Sequence, residues 1–449
     1  MNETNTVDDS CVQPIQELNV GEALELAIFL QQQNRHTEAG NLYCRILELA
    51  PDHADALHYL GITKYFQGDK EKGMELIECA LSIAPDYLQA HNNLGNMYLQ
   101  QRQYEKAEAC YRKVLEINPE FKTAYNNLGV ALKESGRIVE AIDVLLKAIQ
   151  LNPYSAMHYQ NLGNVFRQKN ELENAMDVYL EALAQRPFIP DTYRHLSVSL
   201  KTCGEDERAV QILRKLLEFD PDNPLALHTL SAYTGDNTPA RADDEYVRET
   251  FDRFAESFDS VLKSLDYNAP FLVEKAFRGI SGMSHSLVML DAGCGTGLCG
   301  PLLRPWVGRL TGVDLSGRML ERARERQVYD ELIEAELTAF LNQSATVFDV
   351  IVSADVLCYF GDLSPTLVAS GKALNPGGYL IFTAEKLDAE KEIGYQLNAH
   401  GRYSHCQSHI EHSLAEAGLT VIRLESAILR LESGKPVAGF LAMAQKPAN

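Results

Sequence analysis

Apolar positions along residues 18–233 recur with a fixed period. Leucine stands at Leu26, Leu60, Leu94, Leu128, Leu162 and Leu196, and each is followed by Ala27, Gly61, Gly95, Gly129, Gly163 or Ser197. Twelve residues later a second small set appears: Ala39, Gly73, Ala107, Ala141, Ala175 and Ala209. A larger set follows at Tyr43, Ile77, Tyr111, Leu145, Tyr179 and Leu213, and each unit closes on Pro51, Pro85, Pro119, Pro153, Pro187 or Pro221. Every interval is 34 residues. The spacing predicts two helices per unit, brought close at the small positions and stopped by the proline. One such hairpin cannot bury its own apolar face, so the units must stack. A further first helix follows Pro224, with Leu230 and Ser231 in phase, and reads as a cap.

The periodicity breaks at TGDNTPARADD, residues 234–244, which is read as a linker. Val247, Phe251, Phe254 and Phe258 then recur at helical spacing. That stripe packs into a core, lies over a ligand pocket, or does both. Beyond about residue 287, short apolar runs alternate with helical stretches. Strands are expected at 287–290, 309–313, near 332–337, at 348–353 and at 379–384, with a closing hairpin from 419–429 and 436–445. This pattern predicts a mostly parallel α/β sheet of seven strands with a C-terminal antiparallel strand. The expected organisation is a tail (1–17), a repeat array (18–233), a linker (234–244) and an α/β domain (245–449). Each part should fold alone, and 241–449 should bind its ligand without the repeats.

Composition narrows the function classes. The formal net charge is −21 and both halves are acidic, so there is no broad nucleic-acid footprint. No run approaches a membrane span, and the N-terminal residues show no secretory signal. Nine cysteines, widely spaced and without a CxxC, suit reduced thiols and a cytoplasmic location. Cys294 lies in a glycine loop, as a reactive thiol or as a small loop filler. No metal-ligand spacing appears, so no metal is expected.

The 34-residue pattern resembles the tetratricopeptide repeat. The resemblance implies an all-α solenoid whose concave side binds extended peptides. Asn93, Asn127 and Asn161 fall in phase two positions before the first-helix glycines, flanked in register by Tyr59 and His195. They resemble a ladder that grips a peptide backbone, since an amide donates and accepts together. The other reading is that they hydrogen-bond within the array. Basic residues beside the asparagines, needed to clamp a free C-terminal carboxylate, are not seen.

The glycine loop of the second domain runs from Asp291 to Gly300. Gly295, Gly297 and Gly300 satisfy GxGxxG, while Asp291, Gly293, Gly295 and Gly297 satisfy DxGxGxG. An acid at the strand end suits a cationic ligand better than a pyrophosphate. The second pattern, with TGVDLS around Asp314, FDVIVSADVLCYF (348–360) and LNPGGYLIF (374–382), resembles class I S-adenosylmethionine-dependent methyltransferases, a Rossmann-like fold. The whole arrangement is similar to bacterial predicted methyltransferases with N-terminal tetratricopeptide arrays.

This resemblance implies S-adenosylmethionine as cofactor. Asp291, Gly293, Gly295 and Gly297 would form its loop, the helix after the loop would face its carboxylate, and Asp314 with Leu315 would meet the ribose. Glu336 and Leu337 would lie at the adenine, and Asp355 would flank the methyl-transfer site. Pro305 departs from the family by shortening the helix after the loop. Tyr359 and His405 are the candidate catalytic residues, His405 inside a long segment after the fifth strand that is expected to act as a lid or substrate loop. Three readings follow. The first is a methyltransferase whose repeats bind a protein substrate or partner. The second is a small-molecule methyltransferase with repeats for oligomerisation or regulation. The third is an inactive cofactor-binding scaffold.

Overall fold

The computed structural model describes residues 19–280, 286–387, 394–432 and 434–448. The expected tail, 1–17, lies outside the described residues. The chain divides into two compact units between Glu205 and Asp206.

The first unit is helical. It holds α1 (Val20–Gln32), α2 (His36–Leu49), α3 (Ala54–Phe66), α4 (Lys70–Ile83), α5 (Leu88–Gln100), α6 (Tyr104–Ile117), α7 (Lys122–Glu134), α8 (Ile138–Leu151), α9 (Ala156–Gln168), α10 (Leu172–Gln185) and α11 (Pro190–Thr202). Each odd-numbered helix from α1 to α9 packs on the helix after it. The small residues set that approach. A Cβ on Gly95 would lie 2.6 Å from Tyr111 Cε1, and one on Gly163 2.5 Å from Tyr179 Cε1. Both tyrosines are fully buried, and their hydroxyls donate to Asn96 and Asn164 at 2.8 Å. The turns inside the pairs keep the same period, through left-handed Asn34, Gly68, Arg102, Gly136 and Asn170.

The second unit opens with α12 (Asp206–Phe219) and α13 (Pro224–Thr234). The stretch expected as a linker is stitched into the α/β part of this unit. Ala242 N donates to Tyr359 O, and Gly361 N and Asp362 N both donate to Ala240 O, each at 2.8 Å. The Tyr403 hydroxyl donates to Pro239 O at 2.8 Å. His228 of α13 stacks on Tyr246 at 3.9 Å between ring centroids and places Nε2 2.9 Å from Gly401 O.

Three helices follow: α14 (Asp244–Phe254), α15 (Phe258–Ser264) and α16 (Ala269–Arg278). The sheet then forms from β1 (Val288–Ala292), β2 (Arg309–Asp314), β3 (Glu331–Glu334), β4 (Phe348–Ser353), β5 (Leu374–Lys386), β6 (Tyr395–Leu397), β7 (Tyr403–His405), β8 (Thr420–Glu432) and β9 (Lys435–Gln445). The order is β3-β2-β1-β4-β5-β7-β6, with β9 antiparallel between β5 and β8. The expected seven strands are present. The described part of the segment after β5 adds the hairpin β6–β7. β1, β2 and β4 are almost wholly buried apolar runs, as parallel strands covered on both faces must be. The sheet reverses direction of winding between β1 and β4, which opens a crevice at their C-terminal ends.

Candidate active site

That crevice holds a cavity of 380 Å³. Its floor is the loop after β1. Gly293, Gly295 and Gly297 all have positive φ, at 74°, 54° and 82°, which only glycine adopts freely. A Cβ on Gly293 would lie 2.4 Å from Val356, whereas one on Gly295 meets nothing nearer than Phe258 at 3.8 Å. The backbone at Gly295 is therefore open to a ligand. The helix after the loop is one turn, Gly300–Leu303, and continues as a 3-10 turn, Arg304–Trp306. Pro301 sits in the first turn, where a proline is tolerated, whereas Pro305 removes a donor that a longer helix needs. The helix expected to present its N-terminus to a carboxylate is thus reduced to a single turn.

Asp314 closes β2 and lines the cavity. Its Oδ2 accepts from Gly295 N at 2.8 Å and its Oδ1 from Ser316 N at 2.9 Å. Each oxygen keeps a second lone pair for a ligand hydroxyl. Burial raises its pKa, against the backbone donors that lower it. Leu315, Glu336 and Leu337 line the same end. Glu336 also caps the helix Leu337–Gln343, accepting from Thr338 N at 3.0 Å and Ala339 N at 2.7 Å. Asp291 sits behind the loop. It is 1% exposed and accepts from the Tyr329 hydroxyl at 2.6 Å. Burial raises its pKa to about 7. Cys294 is buried and its thiol pushed well up, as befits a loop filler.

The roof comes from α14 and α15. Val247, Phe251, Phe254 and Phe258 all line the cavity, so the aromatic stripe covers a pocket. The roof is latched to the floor. Ser316 Oγ donates to Asp252 Oδ1 at 2.6 Å, Thr296 Oγ1 donates to Asp259 Oδ1 at 2.5 Å, and Arg326 pairs with Asp259.

The far end is polar: Asp355 and Glu385 were expected near it from the sequence, whereas Arg402, Arg430 and Glu432 were not. Arg430, 3% exposed, pairs with Asp355 at 2.6 Å, with Glu432 at 2.8 Å and with Glu385. Arg402 pairs with Glu385 at 2.6 Å and Glu432 at 2.5 Å. The donor atoms of Asp355, Cys358 and Glu385 lie within 4.8 Å of one another, but Arg430 supplies the cation between the two carboxylates. Asp355 is held at φ 60°, an uncommon conformation for a non-glycine residue. Its Oδ1 is buried without a hydrogen-bond partner among the described residues.

The two candidate catalytic residues fare differently. Tyr359 lines the cavity, edge-on to Phe251 at 5.4 Å, and burial pushes its hydroxyl well above its ordinary value. It stays protonated and can donate, not act as an anionic base. His405 is fully buried away from the cavity lining, with Nε2 2.8 Å from Phe360 O and its pKa lowered by burial to about 4. The expected catalytic role of His405 is corrected by that placement, since the strap Pro239–Ala242 and Phe360 lie on its side of β7.

The asparagine row bonds within the array through its amide nitrogens. Asn93 Nδ2 lies 3.0 Å from His58 Nε2. Asn127 Nδ2 donates to Asn96 Oδ1 at 3.0 Å, and Asn161 Nδ2 to Asn126 Oδ1 at 2.8 Å. Their amide nitrogens tie each repeat to the one before.

The methyltransferase-domain family matches residues 290–382, from the end of β1 into β5. Tetratricopeptide-repeat families match 88–121, 110–143 and 159–189. The chain carries tetratricopeptide repeats and a methyltransferase domain. Among curated relatives, a malonyl-[acyl-carrier protein] O-methyltransferase of Yersinia pestis is 29% identical over 157 residues, covering 35% of this chain and 56% of that protein. Methyltransferase-like protein 27 of Homo sapiens is 40% identical over 84 residues, 18% of this chain and 34% of that protein. The chain spans about half the length of the first curated relatives it matches. Among solved structures, a thermophilic tetratricopeptide protein of Thermus thermophilus aligns with 40% of this chain and 99% of its own, at TM-score 0.35 and 21% identity. PilF of Pseudomonas aeruginosa aligns with 45% of this chain and 93% of its own, at TM-score 0.41 and 17% identity. Among the described residues no helix is long and apolar enough to cross a membrane.

Proposed function

We propose that the chain is an S-adenosylmethionine-dependent methyltransferase whose tetratricopeptide array binds the protein that carries the methyl acceptor. The observation that carries this reading is Asp314, a strand-end carboxylate fixed by two backbone donors beside an open glycine loop. Asp314 would bind the ribose, the backbone of Gly293–Gly295 would meet the methionyl chain, and Glu336 with Leu337 would border the adenine. The cofactor would supply an activated methyl group. What remains for the protein is to position the acceptor and exclude water. The roof of Phe251, Phe254 and Phe258 serves the second task.

The far end supports an acceptor with no proton to lose. Asp355, Glu385 and Glu432 are each paired to an arginine, Tyr359 stays protonated, and His405 lies elsewhere. A carboxylate acceptor needs no base, and to be oriented by Arg402 or Arg430 it would displace one of the carboxylates they already hold, Asp355, Glu385 or Glu432. The relatives named as malonyl-[acyl-carrier protein] O-methyltransferases point the same way. The eight described cysteines are free thiols, which supports a cytoplasmic setting.

Calorimetry tests the cofactor. Asp314→Ala removes charge-assisted hydrogen bonds from a residue that carries little core packing. S-adenosylmethionine should bind the variant about 10- to 150-fold more weakly, and NAD should bind neither protein. Equal affinity in parent and variant would overturn the assignment.

A further inference from the structure

The peptide-binding reading leaves the chemistry of the partner open, and the charge on α7, α9 and α11 bears on it. These three first helices pack side by side, α7 on α9 and α9 on α11, and so share one face. Together they carry Lys122, Lys133, Arg167, Arg194 and Lys201 against only Glu134 and Asp191. The equivalent helices α1, α3 and α5 carry Glu22, Glu25 and Asp55 against Lys64. The net charge of the whole chain is −21, so this cationic face runs against its surroundings.

The placement is regular. Lys133, Arg167 and Lys201 occupy one position in three successive repeats, each 34 residues apart, in the last turn of its helix. A fourth cation, Arg194, sits about two turns before Lys201 on α11 and donates from Nη2 to His195 Nε2 at 2.8 Å. A guanidinium can only donate, so the ring proton of His195 lies on Nδ1. The nearby charges of Arg194, Arg167 and Lys133 all act on His195, adding to burial in lowering its pKa to about 3. Residues from α7, α9 and α11 therefore converge on one region, which stays cationic in sum although Lys133 pairs with Glu134 at 2.6 Å and Arg194 with Asp191 at 3.7 Å. The asparagine amides next to it already donate to neighbouring repeats, and charge adds a further feature by which this face can select.

We propose that the face formed by α7, α9 and α11 binds an acidic peptide segment of the partner, its carboxylates reading the column Lys133, Arg167 and Lys201. This rests on the reading of the array as a peptide-binding element and specifies its ligand. Charge complementarity of this kind sets partner choice and association rate, and weakens with salt.

The test is selection of random twelve-residue displayed peptides on the full chain. Binders should be enriched in Asp and Glu. The variant Lys133→Glu/Arg167→Glu/Lys201→Glu should weaken a selected peptide by roughly 3- to 150-fold, the range that loss of three exposed ion pairs spans. Parent affinity should fall as salt rises, with a flatter dependence in the variant. Circular dichroism checks the fold. If the triple variant unfolds, Arg167→Gln carries the test, with a loss of roughly 1.4- to 5-fold. Binders of neutral composition, unaffected by the reversal, would overturn the acidic assignment and leave peptide binding standing. No binders at all would overturn both. Equal affinity for a single-stranded RNA oligomer would make the face a general polyanion surface and overturn the peptide assignment.

Discussion

Asp291 and Asp314 end adjacent strands of one motif but do different work. Asp314 faces the cavity, whereas Asp291 braces the loop from behind through Tyr329. Sequence spacing located both acids and could not separate them, because burial depends on Tyr329, 38 residues away. The consequence is a pH dependence. Asp291 titrates near 4 when unfolded and at about 7 when folded. The folded state thus prefers the protonated form, so this group's contribution is most favourable below about pH 4 and declines as pH rises towards 7. Each unit in that window costs the parent up to about 1.4 kcal/mol. Besides Tyr329, the groups around it are Asp314, Cys294 and Cys299. Asp291→Asn keeps the shape and removes the titration. Thermal melts of the apo protein should show the variant gaining on the parent from pH 5 to pH 8. Parallel curves would show that Asp291 is ionised in the folded state at all these values. At the far end of the cavity, Arg430 lies one residue beyond the strand expected at 419–429, in the part by which β8 runs on to Glu432. Its partners, Asp355 and Glu385, lie 75 and 45 residues away, beyond any spacing rule.

Helices and strands were largely legible. A 34-residue period leaves little freedom: small residues at Gly95 and Gly163 are required by tyrosine rings 2.6 and 2.5 Å from their absent Cβ atoms. Apolar runs between turns marked β1, β2, β4 and β5. The hairpin β6–β7 was missed because its strands are three residues each, too short for alternation to show. The stretch 234–244 was misleading for a different reason. Its Gly, Pro, Asn and Asp content signals irregular backbone, but irregular backbone can still be bound. Pro239 and Ala240 accept hydrogen bonds from Tyr403, Gly361 and Asp362, and His228 supports Tyr246 in the roof. A piece beginning at 241 therefore loses contacts that hold the cavity wall. Residues 206–449 should fold and bind cofactor like the full chain. Residues 241–449 should melt at lower temperature and bind more weakly, since four hydrogen bonds at about 0.5–1.5 kcal/mol each are lost. Equal melting and affinity for the two pieces would show that the strap is dispensable.

On the scale of the molecule, the proposed function assigns methyl transfer to the methyltransferase domain and partner binding to the repeats. The domain offers a roofed cavity with Asp314 at one end and, at the other, two arginines paired with Asp355, Glu385 and Glu432. The repeats offer a stack of first helices with a localised positive face. Neither feature alone names a substrate, but together they favour an acceptor that arrives on a protein. The most direct measurement is transfer of labelled methyl from S-adenosylmethionine to a cell lysate, separated into protein and metabolite fractions. The full chain should place label in the protein fraction, and alkali should release that label as methanol, as a carboxylate methyl ester requires. Residues 206–449, lacking α1–α11, should bind the cofactor yet leave the protein fraction nearly unlabelled. Label confined to metabolites, at the same rate for the full chain and for 206–449, would contradict the account.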